Sequence, residues 1–225
     1  MEKCPHCQAR IKGEGLKDEE DLQFYFNKRI SDHLKSKGKT LICWNDALHS
    51  WTYADRSIVC KYYTSGRDEF VEQHLTEGGK AIISKYQGFY FDICYKDVPL
   101  KNAYKYKILQ KGIDENNVKN IVGVECTLWT EWIPDKEKLD FQMYPRLEAC
   151  AEQGWCAKKT SYGNFLARLK NILPVLEGFG IYYARDFIVN APCMLKEKRR
   201  KIWYAKNTQV EFEYQKRRLA QKTEK

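Results

Sequence analysis

With 225 residues, 43% of them apolar, the chain has room for one large domain or two small ones around a sizeable core, and it is too apolar to be a disordered polyelectrolyte. No segment approaches the ~20 uninterrupted apolar residues that cross a bilayer, and Met1-Glu2-Lys3-Cys4 carries no apolar leader, so the expectation is a cytosolic protein without a membrane partner. The formal charge of +9 is concentrated in the tail, where eleven Lys/Arg face four Glu between Lys196 and Lys225, and the nine cysteines are scattered in the manner of reduced thiols rather than of a disulfide framework.

From Asp21 to Lys37 the apolar residues Leu22, Phe24, Phe26, Ile30 and Leu34 fall near helical spacing, with Gly38 as the C-terminal cap. The run Thr40-Leu41-Ile42-Cys43-Trp44 is short, apolar and closed by Asn45-Asp46, as a buried parallel strand should be. Ser57 to Tyr62 reads as a second strand and Asp68 to Glu77 as a helix. After the Gly78-Gly79 break, Ala81 to Ser84 reads as a third strand. A fourth, Ile121 to Trp129, follows the polar Asp114-Glu115-Asn116-Asn117 loop. Helices are expected over Leu139 to Gln153 and Tyr162 to Leu176, closed by Gly178 and Gly180. Strands alternating with helices imply right-handed βαβ units and a parallel sheet. Beyond Tyr183 the Lys/Arg/Glu-rich stretch 184–225 is expected to be a basic helical extension outside the core.

In parallel α/β folds ligands meet the carboxyl ends of the strands. The residues closing the four strands are Trp44, Tyr62, Tyr90 with Asp92, and Trp129 with Glu131. Aromatic faces pack on the apolar face of a pyranose and carboxylates accept hydrogen bonds from its hydroxyls, so this set forms a coherent sugar cup. Read singly, either Trp is as readily core as ligand contact. Asp92 and Glu131 end apolar runs, where an unpaired carboxylate is costly, so each calls for a partner. A ligand hydroxyl is one reading and a salt bridge to Arg146 or Lys85 the other.

These segments resemble glycoside hydrolase family 20, the β-N-acetylhexosaminidases. Leu41-Ile42-Cys43-Trp44-Asn45-Asp46 resembles the family's strand-5 W-D-E segment, and Ser84-Lys85-Tyr86 with Phe89-Tyr90-Phe91-Asp92 resembles its S-x-Y-x-x-x-Y-x-D. Gly123 to Glu131 resembles G-x-E-A-x-L-W-x-E. Pro145 to Glu152 resembles the P-R-x-x-A-x-A-E helix, and Cys7-Gln8-Ala9-Arg10-Ile11-Lys12 with Gly15-Leu16 resembles the segment after strand 4. The likeness runs from about Cys4 to Tyr183 and implies a (β/α)8 TIM-type barrel. Residues 1–183 would supply only strands 5 to 8, since a whole barrel takes about 250 residues.

The resemblance implies a substrate ending in N-acetylglucosamine or N-acetylgalactosamine, whose own acetamide attacks the anomeric carbon. No cofactor or metal is implied. Tyr90 would be the catalytic residue, donating its phenolic hydrogen to the acetamide oxygen. Trp44, Tyr62 and Trp129 would wall the pocket, with Tyr62 standing where the family has Trp, and Asp92 and Glu131 would bind outward hydroxyls. Asn45 and Asp46 depart from the family's Asp-Glu and receive no role. The strand-4 H-x-G-G-D-E motif, whose acids orient the acetamide and protonate the leaving group, is absent from the sequence. Its other Asp-Glu pairs, Asp18-Glu19, Asp68-Glu69 and Asp114-Glu115, lie at expected helix starts or in a loop. The chain is therefore expected to be an inactive fragment by itself, docking with a separate N-terminal half or self-associating through open sheet edges.

Three other readings stand beside this one. Cys4-Pro5-His6-Cys7 has the spacing of half a zinc site but lacks a second pair. The tail, with Trp203, Tyr204 and Tyr214 among basic residues, has the composition of a nucleic-acid or partner-binding segment, although a solvated helix face is the commoner meaning of such a run. A non-catalytic N-acetylhexosamine binder would keep Trp44, Asp92 and Glu131 without turnover.

Overall fold

The computed structural model describes residues 1–48, 55–109, 113–156, 158 and 160–189. These fall into two compact units, Met1–Tyr86 with Lys107–Val124, and Gln87–Tyr106 with the chain from Glu125 onward. Of the expected basic extension, residues 190–225 lie outside the described residues. Among the described residues no helix is long and apolar enough to cross a membrane, and every cysteine is free.

The first unit opens with helices α1 (Pro5–Gly13) and α2 (Glu19–Ser36). Asp18 caps α2, its carboxylate accepting from the Glu20 and Asp21 amides at 3.0 Å, which accounts for one Asp-Glu pair as helix-start chemistry. Strand β1 (Ile42–Trp44), strand β2 (Val59–Tyr62), helix α3 (Asp68–Thr76), strand β3 (Lys80–Ile83) and strand β4 (Ile121–Val124) follow. The strands form one sheet in chain order, every pairing parallel, with Trp44 opposite Lys61 and Tyr62 opposite Ile83. This is the alternating α/β pattern that the apolar runs imply.

The pleat divides the sheet into two unlike faces. Cys60, Tyr62, Ala81 and Ile83 share one face and are at most 1% exposed. On the opposite face Ile42 is 55% exposed and Val122 52%, although both are β-branched and apolar. Gly78 adopts φ +86 after α3, and a Cβ on Gly79 would stand 2.3 Å from the His74 ring, so glycine is what lets β3 begin directly against that buried histidine. Glu72 and Thr76 on α3 bind the 3-10 segment Glu115–Asn120: Asn117 Nδ2 donates to Glu72 Oε1 at 2.7 Å and to Thr76 Oγ1 at 2.9 Å.

The second unit starts within the short helix α4 (Tyr86–Phe89) and holds α5 (Leu100–Lys105), α6 (Lys136–Met143), α7 (Arg146–Trp155), α8 (Tyr162–Gly178) and α9 (Asp186–Val189). The single helix expected over Leu139 to Gln153 is two helices. Pro145 has no N–H to continue the ladder, so α6 ends at Met143 and α7 starts at Arg146. The fourth strand, expected to reach Trp129, ends at Val124, and only Thr127 pairs again beyond it, with Tyr90.

Arg146 is fully buried and fans into the carbonyls of Gln142, Ile93, Val98 and Phe91 at 2.5–3.1 Å, with Tyr95 stacked 4.1 Å away. Gln153 does the same for α5, donating to the carbonyls of Ala103, Tyr104 and Tyr106 at 2.7–3.0 Å. Arg168 closes the group by pairing with the buried Glu152 at 2.6 Å.

Candidate functional site

In the first unit the expected site residues are Trp44 and Tyr62. Because Trp44 is in register with Lys61, the two side chains lie on one face of the sheet, and the Lys61 ammonium stands 4.3 Å from the Trp44 ring. The ring beside Trp44 is Tyr63, edge-on at 4.9 Å. Tyr62, one residue earlier, points to the opposite face, where it is 1% exposed. Its hydroxyl donates to Asp68 and the Lys85 ammonium covers its ring at 3.9 Å. Burial lowers the Lys85 pKa while Asp68, 3.6 Å away, holds it up. Tyr62 and Trp44 are therefore not brought together, and Tyr63 takes the place beside the indole.

Asn45, left without a role by the sequence, is fully buried and ties the carboxyl end of β1 to that of β2. Its Oδ1 accepts from the Tyr63 amide at 3.0 Å and the Thr64 amide at 3.2 Å, and its Nδ2 donates to the Thr64 carbonyl at 3.2 Å. This satisfies backbone groups that the end of the sheet leaves over, and it fixes Tyr63 where it meets Trp44.

In the second unit the expected residues are Tyr90, Asp92, Trp129 and Glu131. Phe91 donates its amide to the Thr127 carbonyl and Thr127 its amide to the Phe89 carbonyl, both at 2.8 Å, so the two segments lie side by side at this point. Phe89 and Phe91 are at most 1% exposed and Tyr90, which bridges to Thr127, is 7% exposed. Trp129 is 46% exposed and begins a 3-10 turn, Thr130–Trp132, that carries Glu131 into solvent.

Burial raises the Asp92 pKa. Its own amide, the Trp129 N–H and the Arg146 guanidinium oppose that rise, and the nearby Glu131 carboxylate adds to it. Asp92 Oδ1 is buried and has no hydrogen-bond partner, the circumstance in which a buried carboxylate is expected to meet a ligand. The structure thus brings Asp92, the Trp129 backbone and Glu131 within one electrostatic neighbourhood, with Tyr90 two residues from Asp92. Arg146 donates to the carbonyls of Ile93, Val98 and Phe91 and acts on Asp92 through its charge, while Lys85 pairs with Asp68. Arg146 and Gln142, which donates to the Asp92 carbonyl at 2.7 Å, hold the Phe91–Val98 segment in place.

Among the described residues no group of three or more His, Cys, Asp or Glu could hold a metal ion.

The sequence profile for the catalytic domain of glycosyl hydrolase family 20 matches residues 1–158. The beta-hexosaminidase of Porphyromonas gingivalis is 31% identical over 192 residues, covering 80% of this chain and 24% of that protein. A Vibrio furnissii beta-hexosaminidase is 27% identical, covering 67% and 26%. The crystal structure of a family-20 exo β-N-acetylglucosaminidase from Vibrio harveyi, solved with N-acetylglucosamine, superposes with a TM-score of 0.72 at 28% identity, covering 82% of this chain and 30% of that one. The Flavobacterium johnsoniae chitobiase gives 0.68 at 26%, covering 80% and 28%. The chain spans about a quarter of the length of these curated relatives.

Proposed function

The chain belongs to glycosyl hydrolase family 20, and from that premise we propose that it supplies strands 5 to 8 of a (β/α)8 barrel that cleaves terminal N-acetylglucosamine or N-acetylgalactosamine with retention. The observation that carries this reading is the unsatisfied Asp92 Oδ1 beside Trp129 and Glu131. A carboxylate in that state accepts two neighbouring sugar hydroxyls, and an exposed indole covers the apolar face of the ring they belong to. The open apolar face of the sheet, with Ile42 and Val122, supports the barrel: in a closed barrel the inward face of every strand is buried by the strands opposite.

In this reading the substrate's acetamide oxygen attacks the anomeric carbon. Tyr90 donates a hydrogen bond to that oxygen and steadies the charge that develops as the glycosidic bond breaks. Trp44, with Tyr63 at its edge, and Trp129 exclude water around the acetamide and the ring. Tyr62 supports the wall from behind through Asp68 and Lys85. Protonation of the leaving oxygen requires an acid, and the 225 residues contain no H-x-G-G-D-E segment, so turnover depends on that segment being supplied, in the same chain or by a second one.

The test extends the chain at its amino end with a strand 1–4 region that includes this motif, from its own reading frame or from a relative, and assays p-nitrophenyl N-acetyl-β-glucosaminide and galactosaminide. Hydrolysis that falls at least about 100-fold in Tyr90→Phe, the scale on which an oxyanion-type donor acts, is the expected result. A Tyr90→Phe variant as fast as the parent removes the assigned role of Tyr90. An extended, folded protein that binds N-acetylglucosamine but never cleaves the glycosides favours the non-catalytic binder instead.

A further inference from the structure

Asp92 Oδ1 is buried and meets no donor, so no hydrogen bond at that atom fixes where it points. Its direction has to come from the main chain that carries it. Beyond the Tyr90–Thr127 bridge, Phe91, Asp92 and Ile93 form a bend rather than a strand, and side chains take up their three consecutive carbonyls. Arg146 holds the outer two, Nη2 donating to Phe91 at 2.5 Å and Nη1 to Ile93 at 2.8 Å. The middle carbonyl, that of Asp92 itself, accepts from Gln142 Nε2 at 2.7 Å.

Gln142 can do this because of where α6 ends. It is the penultimate residue of that helix and 2% exposed. Carbonyls in a last helical turn have no partner within the helix. That of Gln142 accepts from Arg146 Nε at 3.0 Å and Nη2 at 2.6 Å. Gln142 is therefore gripped through its main chain and grips Asp92 with its side chain. A second tie runs alongside, the Tyr95 hydroxyl donating to the Tyr144 carbonyl at 2.8 Å. Arg146 spreads its donors over four residues, whereas the Gln142 amide nitrogen is directed at the one residue that bears the carboxylate.

We infer that Gln142 is a positioning residue for Asp92: by holding the Asp92 carbonyl it aims the Asp92 carboxylate at the hydroxyls of the sugar, acting through the backbone and not by touching the sugar. The inference rests on the sugar-binding role proposed for Asp92.

The experiment uses the chain extended with its strand 1–4 region and measures N-acetylglucosamine affinity by calorimetric titration in the parent, Gln142→Met, Asp92→Ala and the double variant. Methionine keeps the length of the side chain and removes the donor. Gln142→Met should weaken binding about three- to tenfold, the scale of one hydrogen bond, and Asp92→Ala more. The double variant should bind no more weakly than Asp92→Ala, because a residue that acts only through Asp92 has nothing left to aim. A loss of packing elsewhere would instead add to the Asp92→Ala loss. If the methionine variant does not fold, Gln142→Asn takes its place: its amide is one methylene too short to reach, and the same pattern is expected. Parent-like affinity in the Gln142 variant while Asp92→Ala weakens binding overturns the inference, and so do fully additive losses in the double variant. A parent that binds no sugar, or an Asp92→Ala variant that binds as well as the parent, removes the role of Asp92 first and this inference with it.

Discussion

Replacing Arg146 by Lys keeps the charge and removes the fork. The guanidinium makes five hydrogen bonds to four carbonyls, three of which, Phe91, Ile93 and Val98, belong to the segment that displays Asp92. An ammonium is a point donor with three hydrogens and cannot span carbonyls set around a planar fan, so two or three of these bonds are lost. Each bond from a charged donor is worth about 1.5–3 kcal/mol, which puts the cost of Arg146→Lys at roughly 3–9 kcal/mol. Urea unfolding followed by tryptophan fluorescence measures it as a shift in midpoint at constant slope. In an extended, active protein the same change should weaken N-acetylglucosamine binding, because Asp92 loses the backbone that aims it. A loss under about 1 kcal/mol would refute the reasoning: the fan would then be no stronger than an ordinary surface contact.

The contact of Gly79 with His74 predicts that Gly79→Ala costs about 1–3 kcal/mol by overpacking, and that His74→Ala in the same molecule relieves most of it; strictly additive losses in a double-mutant cycle would contradict this. Burial pushes the Glu148 pKa up to about 7. Glu148 therefore contributes no penalty below its unfolded value near 4.5 and destabilises the fold as pH rises through 7, by on the order of 3 kcal/mol at most. Glu148→Gln should flatten the stability difference between pH 5.5 and pH 8; an unchanged pH profile would count against it. His74, its pKa lowered by burial, works the other way, removing stability as pH falls below the ordinary histidine range, so the two are separated by comparing the single variants. Asn45→Ala removes three hydrogen bonds at the ends of β1 and β2 and should cost about 1.5–3 kcal/mol, together with a change in near-UV circular dichroism from the Trp44–Tyr63 pair.

The parallel sheet was legible because its strands are short apolar runs with polar ends, and α2 because Asp18, the periodic Leu22 to Leu34 series and Gly38 agree. Helix α1 escaped notice since only Ile11 among its residues is buried and no apolar stripe marks it. The unbroken helix over Leu139 to Gln153 gave too little weight to Pro145. The choice between Tyr62 and Tyr63 could not be made from the chain alone. Both are Tyr at one strand end, and only the register against Trp44 decides which faces the indole. Asp92 was legible as a carboxylate in apolar company. The donors that shape its surroundings, Arg146 and Gln142, lie about fifty residues away in sequence and act on carbonyls, which no side-chain pattern reveals.

Asn45 uses both ends of its amide at once, the oxygen toward two N–H groups and the nitrogen toward the Thr64 carbonyl. Aspartate, nearly the same shape, would turn a carboxylate oxygen toward that carbonyl and repel it unless it held a proton. The position therefore filters by charge and not by size, and chemical conversion of this one amide to an acid during storage would unpick the end of the sheet without altering a single apolar contact.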